Sequence, residues 1–138
     1  MSNNRIFTEK LRSLGLRPTQ QRIIICKLLF DRKDTFHFTI DDLNNSLKHT
    51  SLKKVSLATI YNTIHALKDK GYLKEISINS EKTYFDTNIS NHHHFFDENK
   101  RELIDLEDKD VGKIKIKKLV PGKKITSIEV LVKIANNN

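Results

Sequence analysis

The chain has 138 residues and carries 25 Lys and Arg against 17 Asp and Glu, a formal net charge of +8. That length suits one ordinary domain or two very small ones, and the basic excess suits a phosphate backbone or an anionic membrane without choosing between them. No apolar run approaches the roughly 20 residues of a membrane span, the opening residues have no apolar signal core, and a single cysteine, Cys26, excludes an internal disulfide, so a cytoplasmic protein is expected.

Residues 5–14 place Ile6, Phe7, Leu11 and Leu14 at helical spacing, and Gly15 ends the turn. Thr19, after Pro18, can cap a second helix running to about Phe30, with Ile23, Ile24, Cys26, Leu28, Leu29 and Phe30 as its apolar set. Within that set Cys26 reads as a core thiol. Thr39 and Asp42 open a third helix in the manner of a capping box, with Leu43 and Leu47 facing the core. Ser56 caps a fourth helix whose apolar stripe is Leu57, Ile60, Ile64 and Leu67, and Gly71 stops it. Two β-rich runs, 72–78 and 83–86, joined by the polar turn 79–82, then form a hairpin. Helices followed by a hairpin in this order make a winged helix-turn-helix.

The face of the fourth helix opposite its stripe carries Ala58, Thr59, Asn62 and His65, with Tyr61 on the border. Small and polar side chains let a helix lie against base edges in a major groove. Asn can bridge an adenine edge, and Tyr or Ala can touch thymine methyls. An ordinary solvated helix face would look the same, and the basic charge and the wing favour DNA. Arg17, Arg22, Lys53, Lys54, Lys68 and Lys70 are candidate phosphate contacts. A basic RNA- or membrane-binding module is the rival reading. It fits less well, because there is no aromatic stacking platform and no broad-faced amphipathic basic helix.

From residue 88 the texture changes. His92, His93 and His94 precede Phe95 and Phe96, and an acidic run follows over 102–107. If 92–96 is extended, His92 and His94 share one face and His93 takes the other. Two such imidazoles can share an ion, with Asp105 on the partner strand and Asp86 just upstream. These N and O ligands suit zinc, iron or manganese. Three adjacent histidines can equally be a solvated turn. A zinc hydrolase would also need an open coordination position and a general base, and no such group stands out. Residues 125–134 read as a strand with Val130, Val132 and Ile134 alternating against Leu131, Lys133 and Ala135, and 108–119 as a short helix or, equally, a strand.

The segments GLRPTQQR (15–22), VSLATIYNTIHALKDKGYL (55–73) and KTYFDTNISNHHHFF (82–96) resemble the ferric uptake regulator family, and within it most resemble the Irr (iron response regulator) branch. In the wider family an Arg usually follows the Tyr of the recognition helix. Asn62 stands there instead, which fits that branch.

The resemblance implies an α+β protein. Its winged-helix DNA-binding domain would span 1–86, and a small α/β domain over 87–138 would dimerise and sense metal or haem. It implies a homodimeric repressor of iron or haem genes, not an enzyme. Such a dimer binds a pseudo-palindromic duplex operator and has neither a membrane partner nor a small-molecule substrate. Carried over by motif, a hinge metal site falls on His37, Asp86, His92, His94 and Asp105, and DNA contacts fall on Arg17, Ser56, Thr59, Tyr61 and Asn62.

Two further family sites are expected to be missing. The CxxC positions of the structural zinc hold Asp97 and Lys100, and the late His and helical Glu of another site fall at Ile128 and about Gly112. Haem, which the Irr branch suggests, has no Cys-Pro motif to bind, since Arg17 and Val120 precede the two prolines. It would have to use His92, His93 and His94.

Overall fold

In the computed structural model, which describes residues 2–50 and 54–137, the helices begin and end where side chains can satisfy their unpaired backbone groups. Thr19 Oγ1 accepts from the Arg22 amide to open α2 (Gln20–Phe30). Thr39 and Asp42 form a reciprocal capping box at α3 (Ile40–Leu47). Ser56 accepts from the Thr59 amide at the head of α4 (Leu57–Asp69). Each cap satisfies donors that the first helical turn leaves over. Gly15 and Gly71 take positive φ just past α1 (Ser2–Ser13) and α4. At both, the next amide reaches back five residues, Leu16 to the Leu11 carbonyl and Tyr72 to the Leu67 carbonyl. This is a Schellman stop, which a Cβ at the glycine would strain.

The chain divides into two compact units, 1–89 and 90–138. In the first, α1 to α4 enclose a core of Ile25, Leu29, Phe38, Leu43, Leu47, Ile60, Ile64 and Leu67, and Phe7, Leu11 and Cys26 pack as a smaller cluster. A three-stranded sheet completes the unit. In it β3 (Thr83–Asp86) lies between β2 (Lys74–Ser77) and β1 (His37–Phe38), antiparallel to both. The expected hairpin is β2–β3. The added strand β1 escapes prediction because two residues carry no periodicity, and its pairing with Asp86 and Phe85 alone defines it.

Three core assignments need correction. Ile25, outside the predicted apolar set, is fully buried, because the apolar residues of α2 are spread around the helix and mark no single buried stripe. Leu57 is 52% exposed: it lies in the first turn of α4, ahead of the packed positions. Ile6 also faces solvent.

In the second unit, β4 (His93–Asp97) is central. It pairs antiparallel with β5 (Glu102–Leu106) and parallel with β6 (Leu131–Ile134). The turn from β4 to β5 is held by Asp97, whose Oδ1 accepts the Asn99 and Lys100 amides. Neither the helix nor the strand that the sequence allows over 108–119 forms. Only Asp108–Asp110 makes a 3-10 turn, and 111–130 runs without regular secondary structure to a turn at Val120–Lys123. The period-two pattern of Lys113, Ile114, Lys115, Ile116 and Lys117 opposes a helix, which would scatter its apolar residues around the axis. The expected strand over 125–134 shortens to β6.

Candidate metal centre and nucleic-acid face

In the first unit, β1 and β3 set His37 opposite Asp86. His37 Nε2 lies 3.1 Å from Asp86 Oδ2. The other carboxylate oxygen accepts the Asn88 amide at 2.8 Å, and Asp86 is 1% exposed. A buried carboxylate is tolerated only with such partners. The pairing of Thr87 with Phe36, side chain and backbone, fixes the strand ends that carry both residues. His37, flanked by Phe36 and Phe38, has no periodicity to mark it, and only the family resemblance singled it out.

In the second unit, Asp105 stands opposite His94 in the β4–β5 ladder. Its Oδ1 lies 3.3 Å from His92 Nε2 and 3.6 Å from His94 Nε2. Both imidazoles are buried, and their ring centroids are 4.5 Å apart. One donor atom from each of these three residues lies within 4.8 Å of the others. Ligands about 2.0–2.1 Å from a tetrahedral ion stand about 3.3 Å from one another, so these spacings fit a shared cation. His92 Nδ1 faces the Ser90 carbonyl at 2.8 Å. A donor bond there places the proton on Nδ1 and presents Nε2 as the ligand atom, which is how protein groups orient metal-ligating histidines. The donor set fits a divalent metal.

His93 takes the opposite face, as the strand alternation requires. Its Nδ1 accepts the Val130 amide at 3.0 Å, and its Nε2 lies 3.0 Å from Asp108 Oδ1. Both ring nitrogens are therefore occupied within the protein. Sequence reasoning placed Asp108 at the start of a helix and missed this partner, although the alternation of 92–94 already pointed His93 away from the metal face.

On α4, Tyr61, Asn62 and His65 are exposed while Ile60, Thr63 and Ile64 are buried. The Tyr61 and His65 rings stack at 6.0 Å. Thr59 is half-buried, its hydroxyl receiving that of Ser56, and its carbonyl accepts the Thr63 hydroxyl. Arg17 is exposed, as are Lys54 and Lys70. Two candidate phosphate contacts are engaged inside the protein: Arg22 donates to the Arg17 carbonyl, and Lys68 lies 3.6 Å from Glu75. Lys53 lies outside the described residues. Burial pushes the Cys26 thiol up to about 11, and nearby Lys10 offsets this in part.

The sequence pattern that defines the ferric uptake regulator family matches residues 13–133. The peroxide-responsive repressor PerR of Staphylococcus aureus is 33% identical over 97 residues, covering 70% of this chain and 64% of the relative. The match therefore spans less than two thirds of that relative's length. Among solved structures, the ferric uptake regulator Fur of Helicobacter pylori, described as having three functional metal binding sites, superposes with a TM-score of 0.70 at 13% identity, covering 98% of this chain and 89% of its own. The ferric uptake regulator of Pseudomonas aeruginosa with manganese gives 0.68 at 18% identity over 96% and 99%. At such identities these structures show the shared fold, a winged helix-turn-helix domain followed by a small α/β domain. The chain belongs to the ferric uptake regulator family.

Proposed function

We propose that the protein is a metal-dependent, DNA-binding transcriptional repressor. In this reading His37 and Asp86 from one unit and His92, His94 and Asp105 from the other ligate one divalent ion. The observation that carries it is the Asp105 carboxylate facing two Nε2 atoms, with His92 already oriented by Ser90. The pair His37–Asp86 supplies donors of the same type. Asp86 and His92 are close in sequence, so the connecting chain spans no more than about 20 Å and holds both sets within reach of a common centre.

The ion supplies a fixed link between the reading unit and the dimerising unit. His37 and Asp86 would hold it at the wing, and His92, His94 and Asp105 at the sheet. In a cytoplasmic homodimer, fixing that link sets the spacing of two α4 helices, so that each meets a major groove of a pseudo-palindromic operator. Arg17 and Ser56 would position the helix on phosphate, and Thr59, Tyr61 and Asn62 would face the bases. Metal raises operator affinity only through its preference for the competent spacing, a population shift. Zinc, iron and manganese all suit the donor set, and iron-responsive genes are the proposed targets.

The family resemblance also raised haem as the signal. The hydrogen bonds of His93 favour metal instead. Binding haem through His93 would remove either the Val130 or the Asp108 contact, while His92 and His94 already face Asp105. The test is a duplex gel shift with stripped protein, with added Mn²⁺ or Zn²⁺, and with haemin. Binding that rises with metal and is indifferent to haemin supports the reading, and binding unchanged by metal overturns it.

A further inference from the structure

The positive charge of the second unit is gathered in one segment. Residues 111–128 hold six lysines, Lys113, Lys115, Lys117, Lys118, Lys123 and Lys124, and no Asp or Glu, whereas the rest of 90–138 holds four basic residues against eight acidic ones. All six lysines are exposed. Among the described residues none of them pairs with those carboxylates, although Lys109, just ahead of the segment, pairs with Glu107.

The segment is a loop tied at both ends and turned in the middle. Val111 donates to the Asp108 carbonyl before it, and Val130 donates to His93 after it. In between, among the described residues, one backbone–backbone hydrogen bond forms, from the Lys123 amide to the Val120 carbonyl. Pro121 and Gly122 fill the centre of that turn, Gly122 with φ +76, as a type II turn requires. Lysines therefore precede and follow a tip at which Leu119 and Val120 are 67% and 63% exposed.

A dense run of uncompensated lysines is the electrostatic footprint of a polyanion. The first unit is basic too, with 15 Lys and Arg against nine Asp and Glu, and it is the unit proposed to read duplex DNA. Duplex held there is tethered to the second unit, which raises the local concentration of phosphate at the loop. An anionic bilayer also attracts lysines, but it draws nothing from the winged unit and fits less well. We propose that the loop 111–128 is a second, sequence-independent DNA contact, whose lysines neutralise phosphates of the same duplex that α4 reads. The apolar tip is compatible with this contact, because minor-groove proteins commonly seat Leu, Ile or Pro side chains in the groove. The inference rests on the DNA-binding reading proposed above, and it adds a contact surface outside the winged helix.

The test is the salt dependence of binding to a labelled random duplex, read by fluorescence anisotropy on the full chain. Each lysine–phosphate contact steepens the fall of log K with log salt by about 0.9. Lys113→Gln with Lys115→Gln and Lys117→Gln should therefore make the slope shallower by about 2 to 3 for each subunit bound, and lower the affinity by about tenfold or more at low salt. The same three positions changed to Arg should keep the wild-type slope, since the charge remains. Wild-type protein that binds no duplex would overturn the DNA-binding reading and the loop contact together. Duplex binding with slope and affinity unchanged in the Gln variant would leave that reading standing and overturn the loop contact. A Gln variant whose self-association, followed by sedimentation equilibrium, falls along with its duplex affinity would assign the loop to a subunit interface and overturn the proposal equally. So would loss of binding to phosphatidylserine vesicles with duplex binding intact, which would assign the loop to a membrane surface.

Discussion

His37 Nε2 and Asp86 Oδ2 meet at 3.1 Å across the β1–β3 pair, with the carboxylate 1% exposed and the imidazole at its open side. This buried pair serves the fold before any metal arrives. Removing the imidazole takes one partner from Asp86 Oδ2, while Oδ1 still accepts the Asn88 amide. His37→Ala should therefore lower the metal-free unfolding free energy by about 1–3 kcal/mol, the range for losing one hydrogen-bond partner of a buried charged group. Urea melts with chelator present measure it. An unchanged midpoint would show that the contact contributes nothing to the apo fold.

The proposed reading face of α4 and the cap that starts the helix should separate. Ser56→Ala removes a hydrogen bond to the Thr59 amide and should cost about 1 kcal/mol of stability. Asn62 is exposed, so Asn62→Ala should leave stability within about 0.5 kcal/mol. If Asn62 reads a base, the same change should weaken operator binding by about 1–3 kcal/mol and leave random duplex unaffected. Thermal melts and competition gel shifts with specific and random duplex check both. Equal losses on the two duplexes would mean that Asn62 does not read bases.

Cys26 gives a pH dependence with a definite sign. Burial holds its thiol at about 11 against 9.0 for the free group, so the folded state keeps a proton that the unfolded state gives up. Stability is indifferent to this group below pH 9, falls between pH 9 and 11, and loses about 3 kcal/mol in all at 1.36 kcal/mol per unit. At pH 8 the thiol should resist alkylation by iodoacetamide until the protein unfolds. Rapid labelling of the native protein would show that α1 and α2 open readily.

Much of the first unit was legible because caps and glycines mark helix ends chemically. Thr19, Thr39, Ser56, Gly15 and Gly71 each do in the structure what their residue type requires. The face of His92 and His94 was legible from strand alternation, and Asp105 from its place on the next strand. Three things were not. The strand β1 exists only through its partner β3. The burial of Ile25 depends on which neighbours surround a helix whose apolar residues lie on more than one side. The segment 108–119 carries lysines that suit a helix and an alternation that suits a strand, and local sequence does not decide between them without the partner.

His93 ties β4 to the start of β6 and to the 3-10 turn. The Val130 amide donates to Nδ1, and the proton on Nε2 faces Asp108. His93→Ala strands the Val130 amide and should cost about 1–3 kcal/mol. Asp108→Ala should cost under about 1 kcal/mol, because that carboxylate is 85% exposed and solvent screens the pair. Amide exchange at Val130, followed by NMR, should quicken in the first variant and change little in the second. The reverse order would mean that the Asp108 contact, rather than the Val130 one, anchors β6.

Whether the two donor sets share one ion is measured most directly by calorimetric titration of stripped protein with Zn²⁺ or Mn²⁺, comparing wild type with His37→Ala and His92→Ala. Shared ligation predicts one tight ion per subunit and a loss of affinity of about tenfold or more in both variants. A site lost in His92→Ala but untouched in His37→Ala, or two independent ions per subunit, would contradict it.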